Sequence, residues 1–471
     1  MPPNGHAANH DGALDVSDGS YLDYKNVCES GARYVRIYWH DYTSSAKCRV
    51  IPIDRVRAAF KRGEQFTITI TKASLGILPT DVLVPGVTGT GVYVLQPDWS
   101  SARKGPADGH VSCQAFFREE DGAEARLCPR GILERAVRRG AAAGLRFLVG
   151  FEVEFTALRR DRGRPEGHQF AAIPHDGHAW SMARALAGWG AEDSFATVAD
   201  EALEALRDAG VGAEQFHAEG APGQYEIVLP PAAPLAACDA LLHARQIVES
   251  AAARRGFRVT LHPRPFPSHI GNGSHAHLSI HACSRGGDGD GDVDGDVDRH
   301  VYERFYGGVL AHFPALLAFT SPHEASYQRL VDGLWAGGRW VAWGTQNKET
   351  PLRKCAGSHW ELKVMDGLAN PYLAVAALLH AGTAGAEAFT WGDCAVDPAT
   401  LDDGQRQALG IVQRFPANLG EALEALERDD VMVGLVGQDV VARYVAVKQA
   451  EMDMLAGIPQ EQRRQWIMER Y

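Results

Sequence analysis

Gly150-Phe151-Glu152-Val153-Glu154-Phe155 sits inside a longer alternating run, Phe147 to Leu158. Val149, Phe151, Val153 and Phe155 alternate with Gly150, Glu152 and Glu154, a period of two that predicts a strand with one apolar face. Both carboxylates then point the same way. Side chains two apart on a strand lie roughly 7 Å from each other, so two charges in a semi-buried place demand something positive between or beside them. A strand with a solvated acidic face satisfies the same pattern, since antiparallel sheets commonly wet one side. Residues elsewhere in the chain must decide between the two.

Working outward, Pro129 to Ala143 carries apolar residues at Ile132, Leu133, Ala136 and Val137, which is helical spacing, and feeds the strand through Gly144. Upstream, short apolar runs at Tyr34–Trp39, Cys48–Ile53, Phe66–Thr71, Gly91–Gln96 and His110–Phe117 surround one helical piece, Asp54–Arg62. That texture predicts a small sheet-rich domain over 24–127, after a polar, Gly-rich tail at 1–23 and before a second domain at 128–471. Downstream, Ser181–Gly188 and Phe195–Ala209 read as helices, and Pro234–Arg255 as a long helix stopped by Gly256.

Three further stretches carry chemistry. In His217-Ala218-Glu219-Gly220-Ala221-Pro222-Gly223-Gln224-Tyr225-Glu226 the turn-forming centre makes Glu219 and Glu226 flank a reversal. Ile270 to Ile280 predicts a strand with His275, His277 and Ser279 on one face. His359-Trp360-Glu361-Leu362-Lys363 repeats the period of two and gathers His359, Glu361 and Lys363. Pro322 to Arg339 reads as loop, and Asn370-Pro371 as a helix start with an N-cap and a first-turn proline.

The inward candidates are five carboxylates, Glu152, Glu154, Glu219, Glu226 and Glu361, with His275 and His277. Such a set suits hard or borderline divalent ions, magnesium or manganese, rather than thiolate-bound zinc. The acidic tract at 286–298 alternates Asp with Gly and Val; counted from Asp290, the twelfth position of a helix-loop-helix calcium loop is Val301 instead of Glu, so it predicts a solvated insertion.

The chain is 471 residues long, with 45% hydrophobic and 23% charged residues, an ordinary globular balance. A formal net charge of −12 with no Lys/Arg cluster argues against nucleic acid as partner and favours small molecules. The eight cysteines include no Cys-x-x-Cys pair, and neither a charged-then-apolar leader nor a membrane-length apolar run is visible; reduced thiols in a cytoplasmic protein are expected.

On these motifs jointly the chain resembles the glutamine synthetase family. The likeness rests on Gly-Phe-Glu-Val-Glu-Phe, on Glu219 to Glu226 with its Ala-Pro-Gly-Gln, and on His275-x-His277-x-Ser279. It extends to Ser326-Tyr327-Gln328-Arg329-Leu330 and to Glu361 followed by Asn370-Pro371-Tyr372-Leu373-Ala374, with weaker similarity around Pro97-Asp98-Trp99-Ser100-Ser101. The resemblance implies an α+β fold: a small N-terminal β-grasp domain, then a catalytic domain whose curved antiparallel sheet is flanked by helices. It also implies stacked rings of subunits with active sites between neighbours, and a reaction in which ATP converts glutamate to a γ-glutamyl phosphate that an amine then displaces. Two or more Mg2+ or Mn2+ ions would serve each site, one held by Glu154, Glu219 and Glu226, the other by Glu152, His275 and Glu361. His277, Ser279 and His359 would lie toward the nucleotide. Arg329 would clamp glutamate beside Gly271, and Arg353, Lys363 and Lys348 would face the transferred phosphate.

Three departures bear on the substrate. Where the family carries an ammonium-binding glutamate after Ser-Tyr-x-Arg-Leu, this chain has Trp335 in Val331-Asp332-Gly333-Leu334-Trp335-Ala336-Gly337. The Asp-Gly-Ser-Ser loop that supplies an aspartate to ammonium is not visible around Lys72 to Asp81. Lys348 and Lys363 stand where Arg is usual, as does His359; the lysines keep charge but lose the bidentate fork. These features predict an organic amine in place of ammonia, Trp335 offering apolar area or a cation–π face. Two alternatives stay open: glutamine synthesis with Asp332 replacing the lost acid, and a non-catalytic ring-forming scaffold or regulator.

Overall fold

The structure is a computed structural model that describes residues 23–160, 163, 170–173, 195–283, 297–385 and 388–471. Residues 1–22 of the expected 1–23 tail, the helix expected at 181–188 and most of the acidic insertion lie outside these residues.

Two sheets organise the chain. The first holds β1 (Tyr34–His40), β2 (Ala46–Pro52), β3 (Ile68–Thr71), β4 (Val92–Pro97), β5 (Arg103–Lys104) and β6 (His110–Arg118). Its order is β2-β1-β6-β4-β3, with β5 beside β6. β1 and β6 run parallel at its centre, so it is a mixed sheet, with the helix Ile53–Lys61 following β2.

The second sheet holds β7 (Leu145–Arg160), β8 (Phe170–Ala172), β9 (Gln215–Ala218), β10 (Gln224–Ala232), β11 (Phe257–Thr260), β12 (Ala276–Ala282), β13 (Trp343–Thr345), β14 (Leu352–Ala356) and β15 (His359–Leu362). The order is β13-β14-β15-β12-β7-β10-β9, and β8 and β11 also pair with β7. All pairings are antiparallel except β13 with β14, a parallel edge that the expected antiparallel sheet did not include.

β7 is long enough to take two partners on each edge. β12 covers Leu145–Phe151 and β11 covers Thr156–Arg159 on one side, while β10 and then β8 cover the other. Its apolar face is closed: Phe147, Val149, Phe151, Val153 and Phe155 are each at most 2% exposed. Burying side chains of this size contributes about 1.5–3 kcal/mol apiece, so the strand cannot slip by one residue without moving all of them into water. Glu152 and Glu154 are thereby fixed on the opposite face.

Helices Pro129–Ala142 and Pro234–Arg254 pack against β7. The helix Pro371–Ala384 packs on the first of these and starts as expected: the Asn370 side chain accepts from the backbone N–H of Tyr372 and Leu373. Arg130 of helix Pro129–Ala142 donates to Asp98, just after β4, at 2.9 Å and to Asp239 of helix Pro234–Arg254 at 2.6 Å.

Two sequence expectations need correction. Residues 322–339 are not all loop, because Glu324–Arg329 forms a short helix capped by His323, whose Nδ1 accepts from Ala325 N–H. The strand expected over 270–280 starts only at Ala276. Backbone groups before it bond elsewhere, Asn272 N–H to Pro263 O and Ser274 N–H to Met365 O, and a Cβ at Gly271 would run into the Pro263 carbonyl. None of the eight cysteines is paired, and among the described residues no helix is long and apolar enough to cross a membrane.

Candidate active site

Strand register builds the site. His217, Glu226 and Glu154 stand opposite one another across β9, β10 and β7. A second row crosses β7, β12, β15 and β14 as Gly150, His277, Glu361 and Arg353. Glu152 lies between the rows, and its backbone N–H donates to His275 O at 3.1 Å.

Carboxylates crowd one imidazole. His275 Nδ1 is 2.6 Å from Glu152, 3.2 Å from Glu361 and 3.5 Å from Glu154. A single ring nitrogen can serve one of them with a proton. Ligand atoms of Glu152, His275 and Glu361 fall within 4.8 Å of one another, as do those of Glu152, Glu154 and Glu226, and those of His217, Glu219 and Glu226. The first trio is the one expected from sequence. Glu154 and Glu219 fall in different groups that share Glu226.

Cations are few. Glu361 is 1% exposed, and its two oxygens accept from Lys363 Nζ at 3.1 Å and Arg353 Nη1 at 3.0 Å. Burial works against its ionisation, but Lys363 and His275 outweigh it and bring its pKa down to about 2. Burial opposes ionisation of Glu152 too, and hydrogen bonds with His275 and His277 hold its carboxyl well below the usual range. Glu226 goes the other way: burial, helped by Glu152 and Glu154 and opposed by His217, pushes it up to about 7. Its hydrogen bond in turn carries His217 up to about 9.

This is an oxygen-rich donor set with one imidazole, and hard divalent ions fit it. Magnesium with oxygens at about 2.1 Å needs neighbouring ligands roughly 3–4 Å apart, within the spacing of these trios. The cradle is also tight: a Cβ at Gly273 would collide with His275 Nε2, a buried atom without a hydrogen-bond partner.

All fifteen residues singled out from the sequence line one of two adjoining cavities. The first, about 240 Å³, is lined by the five carboxylates and His275 together with Arg329, Arg353, Lys348, Lys363, Gly271 and Trp335. The second, about 530 Å³, is lined by His277, Ser279 and His359. Glu152 and Gln215 belong to both walls. Arg329 is buried and donates through Nη2 to the carbonyls of Lys363 and Met365, so part of its fork is committed to holding the chain after β15. Lys348 is exposed at the rim. Ser279 Oγ hydrogen-bonds His281 at 2.9 Å rather than any member of the cage.

Trp335 is half exposed, with φ at +56°, and its backbone N–H donates to the Glu349 carboxylate at 3.3 Å. Asp332 is exposed and is not among the described residues lining the cavity. Sequence reasoning missed His217 and Gln224. His217 is two residues before Glu219, a same-face spacing that could have found it. Gln224 donates to Glu154 at 3.0 Å and to Gly271 O at 2.9 Å; only the folded turn brings those groups to it.

The sequence profile described as glutamine synthetase, catalytic domain, matches residues 126–471. The chain belongs to the glutamine synthetase family. That family consists of ATP-dependent carbon–nitrogen ligases that use divalent metal ions. Among its relatives this glutamine synthetase homologue is 36% identical to Protein fluG of Emericella nidulans over 479 residues, which is all of this chain and 52% of that protein; the chain thus spans about half the length of fluG. It is 31% identical to the gamma-glutamylpolyamine synthetase GlnA3 of Streptomyces coelicolor over 454 residues, 91% of each. Among solved structures, the GmaS/ADP complex superposes with a TM-score of 0.75 at 26% identity, covering 94% of this chain and 98% of that one.

Proposed function

We propose that this protein joins the γ-carboxylate of glutamate, or of a close analogue, to an organic amine at the expense of ATP. The observation that carries the amine is Trp335, an aromatic wall on the cavity that also holds the carboxylate cage. An ammonium ion is best held by anions, whereas an alkylammonium gains from an aromatic face and from apolar contact. The similarity to a gamma-glutamylpolyamine synthetase supports the same direction.

In this reading a γ-carboxylate oxygen attacks the terminal phosphorus of ATP and ADP leaves. The amine nitrogen then attacks the acyl carbon, phosphate leaves, and the nitrogen loses a proton. Glu154, Glu219 and Glu226, with Glu152, His275 and Glu361, would hold the divalent ions, which neutralise phosphate oxygens when bound. Arg329 and Gly271 would position glutamate. Arg353, Lys363 and Lys348 would supply positive charge around the transferred phosphate, the lysines as point charges without Arg's fork. His277, Ser279 and His359 would meet the nucleotide from the second cavity. A division at 24–127 and 128–471, and a ring in which a neighbour's N-terminal domain completes each site, belong to the same proposal.

ADP release measured with glutamate, Mg2+ and a panel of amines tests this reading. Turnover with di- or polyamines well above that with ammonium is expected. Ammonium used as efficiently as any amine would remove the organic-amine part, and no ADP release with any of them would favour a non-catalytic role.

A further inference from the structure

Beside the cage, on the same face of the sheet, three ligand side chains of a different chemistry converge. His277 on β12, Cys355 on β14 and His359 on β15 each place one ligand atom within 4.8 Å of the other two. His277 Nδ1 is 2.8 Å from His359 Nε2, and the Cys355 thiol beside them donates to Arg353 O at 3.9 Å. The two histidines meet because β12 and β15 are paired, with His277 opposite Glu361 and so diagonal to His359. The thiol joins them at the point where β14 loses register, between Lys354 and Ala356, an irregularity of the kind that re-aims a strand side chain.

We propose that His277, Cys355 and His359 form a second metal site, taking a borderline-soft divalent ion of the zinc class rather than the hard ions assigned to the carboxylate cage. Two imidazoles and a thiolate select such ions over magnesium. Bonds of about 2.0–2.1 Å to nitrogen and about 2.3 Å to sulfur put tetrahedral ligands roughly 3.3–3.6 Å apart, so the rings need part by only about half an ångström. The far nitrogen of His277, Nε2, is 3.1 Å from Glu152 Oε1. A carboxylate on that nitrogen fixes the tautomer and leaves Nδ1 as the ligating atom. Both histidines line the 530 Å³ cavity, so a fourth position faces its interior. The Arg353 guanidinium near His359 opposes a cation there, while the Glu152 and Glu361 carboxylates near His277 offset it.

An ion at this site would withdraw both histidines from the nucleotide and engage Glu152 through His277, so it would inhibit turnover; this consequence rests on the ligase reading, and the binding itself does not.

The test is a Co2+ titration of the full, reduced chain in excess Mg2+. Cobalt gives a sulfur-to-metal charge-transfer band only with thiolate ligation, and the carboxylate cage contains no cysteine. Expected is a band saturating at one ion per chain, bleached by Zn2+, absent in Cys355→Ser, and shifted to at least about 10-fold higher Co2+ in His359→Gln. No band, or an undiminished band in Cys355→Ser, overturns the site. For inhibition, Zn2+ should suppress ADP release by the wild type at least about 10-fold more readily than by Cys355→Ser; equal sensitivity would overturn the inhibitory role. A thiolate band without ADP release under any amine keeps the site and removes the ligase reading.

Discussion

Glu154 stands directly opposite Glu226 in the β7–β10 ladder, two buried carboxylates at a cross-strand position where like charges destabilise a sheet. The arrangement makes sense as a place kept for positive charge. Glu226→Gln should therefore raise the stability of the metal-free protein, by up to about 1 kcal/mol. The wild type should gain about 3 kcal/mol from Mg2+ or Mn2+ at 100 times the dissociation constant, and the variant much less. Thermal melts with and without metal check both signs.

Trp335→Ala should lower kcat/KM for the preferred amine by about 3-fold to 30-fold, the range a lost cation–π contact allows, with little change in the KM for ATP. Trp335→Glu should raise the use of ammonium relative to the amine. Steady-state ADP release for each substrate measures this.

Asp239 is the second carboxylate on Arg130 and also accepts from the Tyr372 hydroxyl at 2.6 Å. Asp239→Ala leaves a buried guanidinium with only Asp98 and should cost about 3–5 kcal/mol. The loss should appear in chemical denaturation, since the contact joins helices Pro129–Ala142 and Pro234–Arg254, both packed against β7.

Burial holds several histidines neutral, and three are shifted furthest: His40, His262 and His323 are each lowered to about 3, against about 4 for His243 and His380. His262 Nδ1 and His323 Nδ1 accept backbone hydrogen bonds, which a protonated ring could not do. Between pH 6.5 and 3 the unfolded chain binds protons at these rings that the folded chain does not, so stability is full above pH 6.5 and falls with acid. Three such groups give a slope of at most about 4 kcal/mol per pH unit. His323→Gln should lower the slope by at most about 1.4 kcal/mol per pH unit in urea titrations run across this window.

Much of the candidate site was legible because its strands are short-period and its polar side chains are spaced by two. Glu152 with Glu154, His275 with His277, and Glu361 with Lys363 each declare a shared face in one dimension. Strand pairing was not legible: nothing in the sequence states that Glu226 meets Glu154, or that Arg353 meets Glu361. The late start of β12 was hidden as well, because the close approach of Gly271 to Pro263 is a tertiary fact. Arg329 was found by its motif, while its commitment to the Lys363 and Met365 carbonyls needed the fold.

The central claim is that carboxylates from four strands or strand ends, with His275, enclose a pair of divalent ions. Counting bound Mn2+ per chain by electron paramagnetic resonance at saturation tests it most directly. Two ions per wild-type chain and one in Glu361→Gln are predicted; no tight Mn2+ in the wild type, or the same count in both proteins, would contradict it.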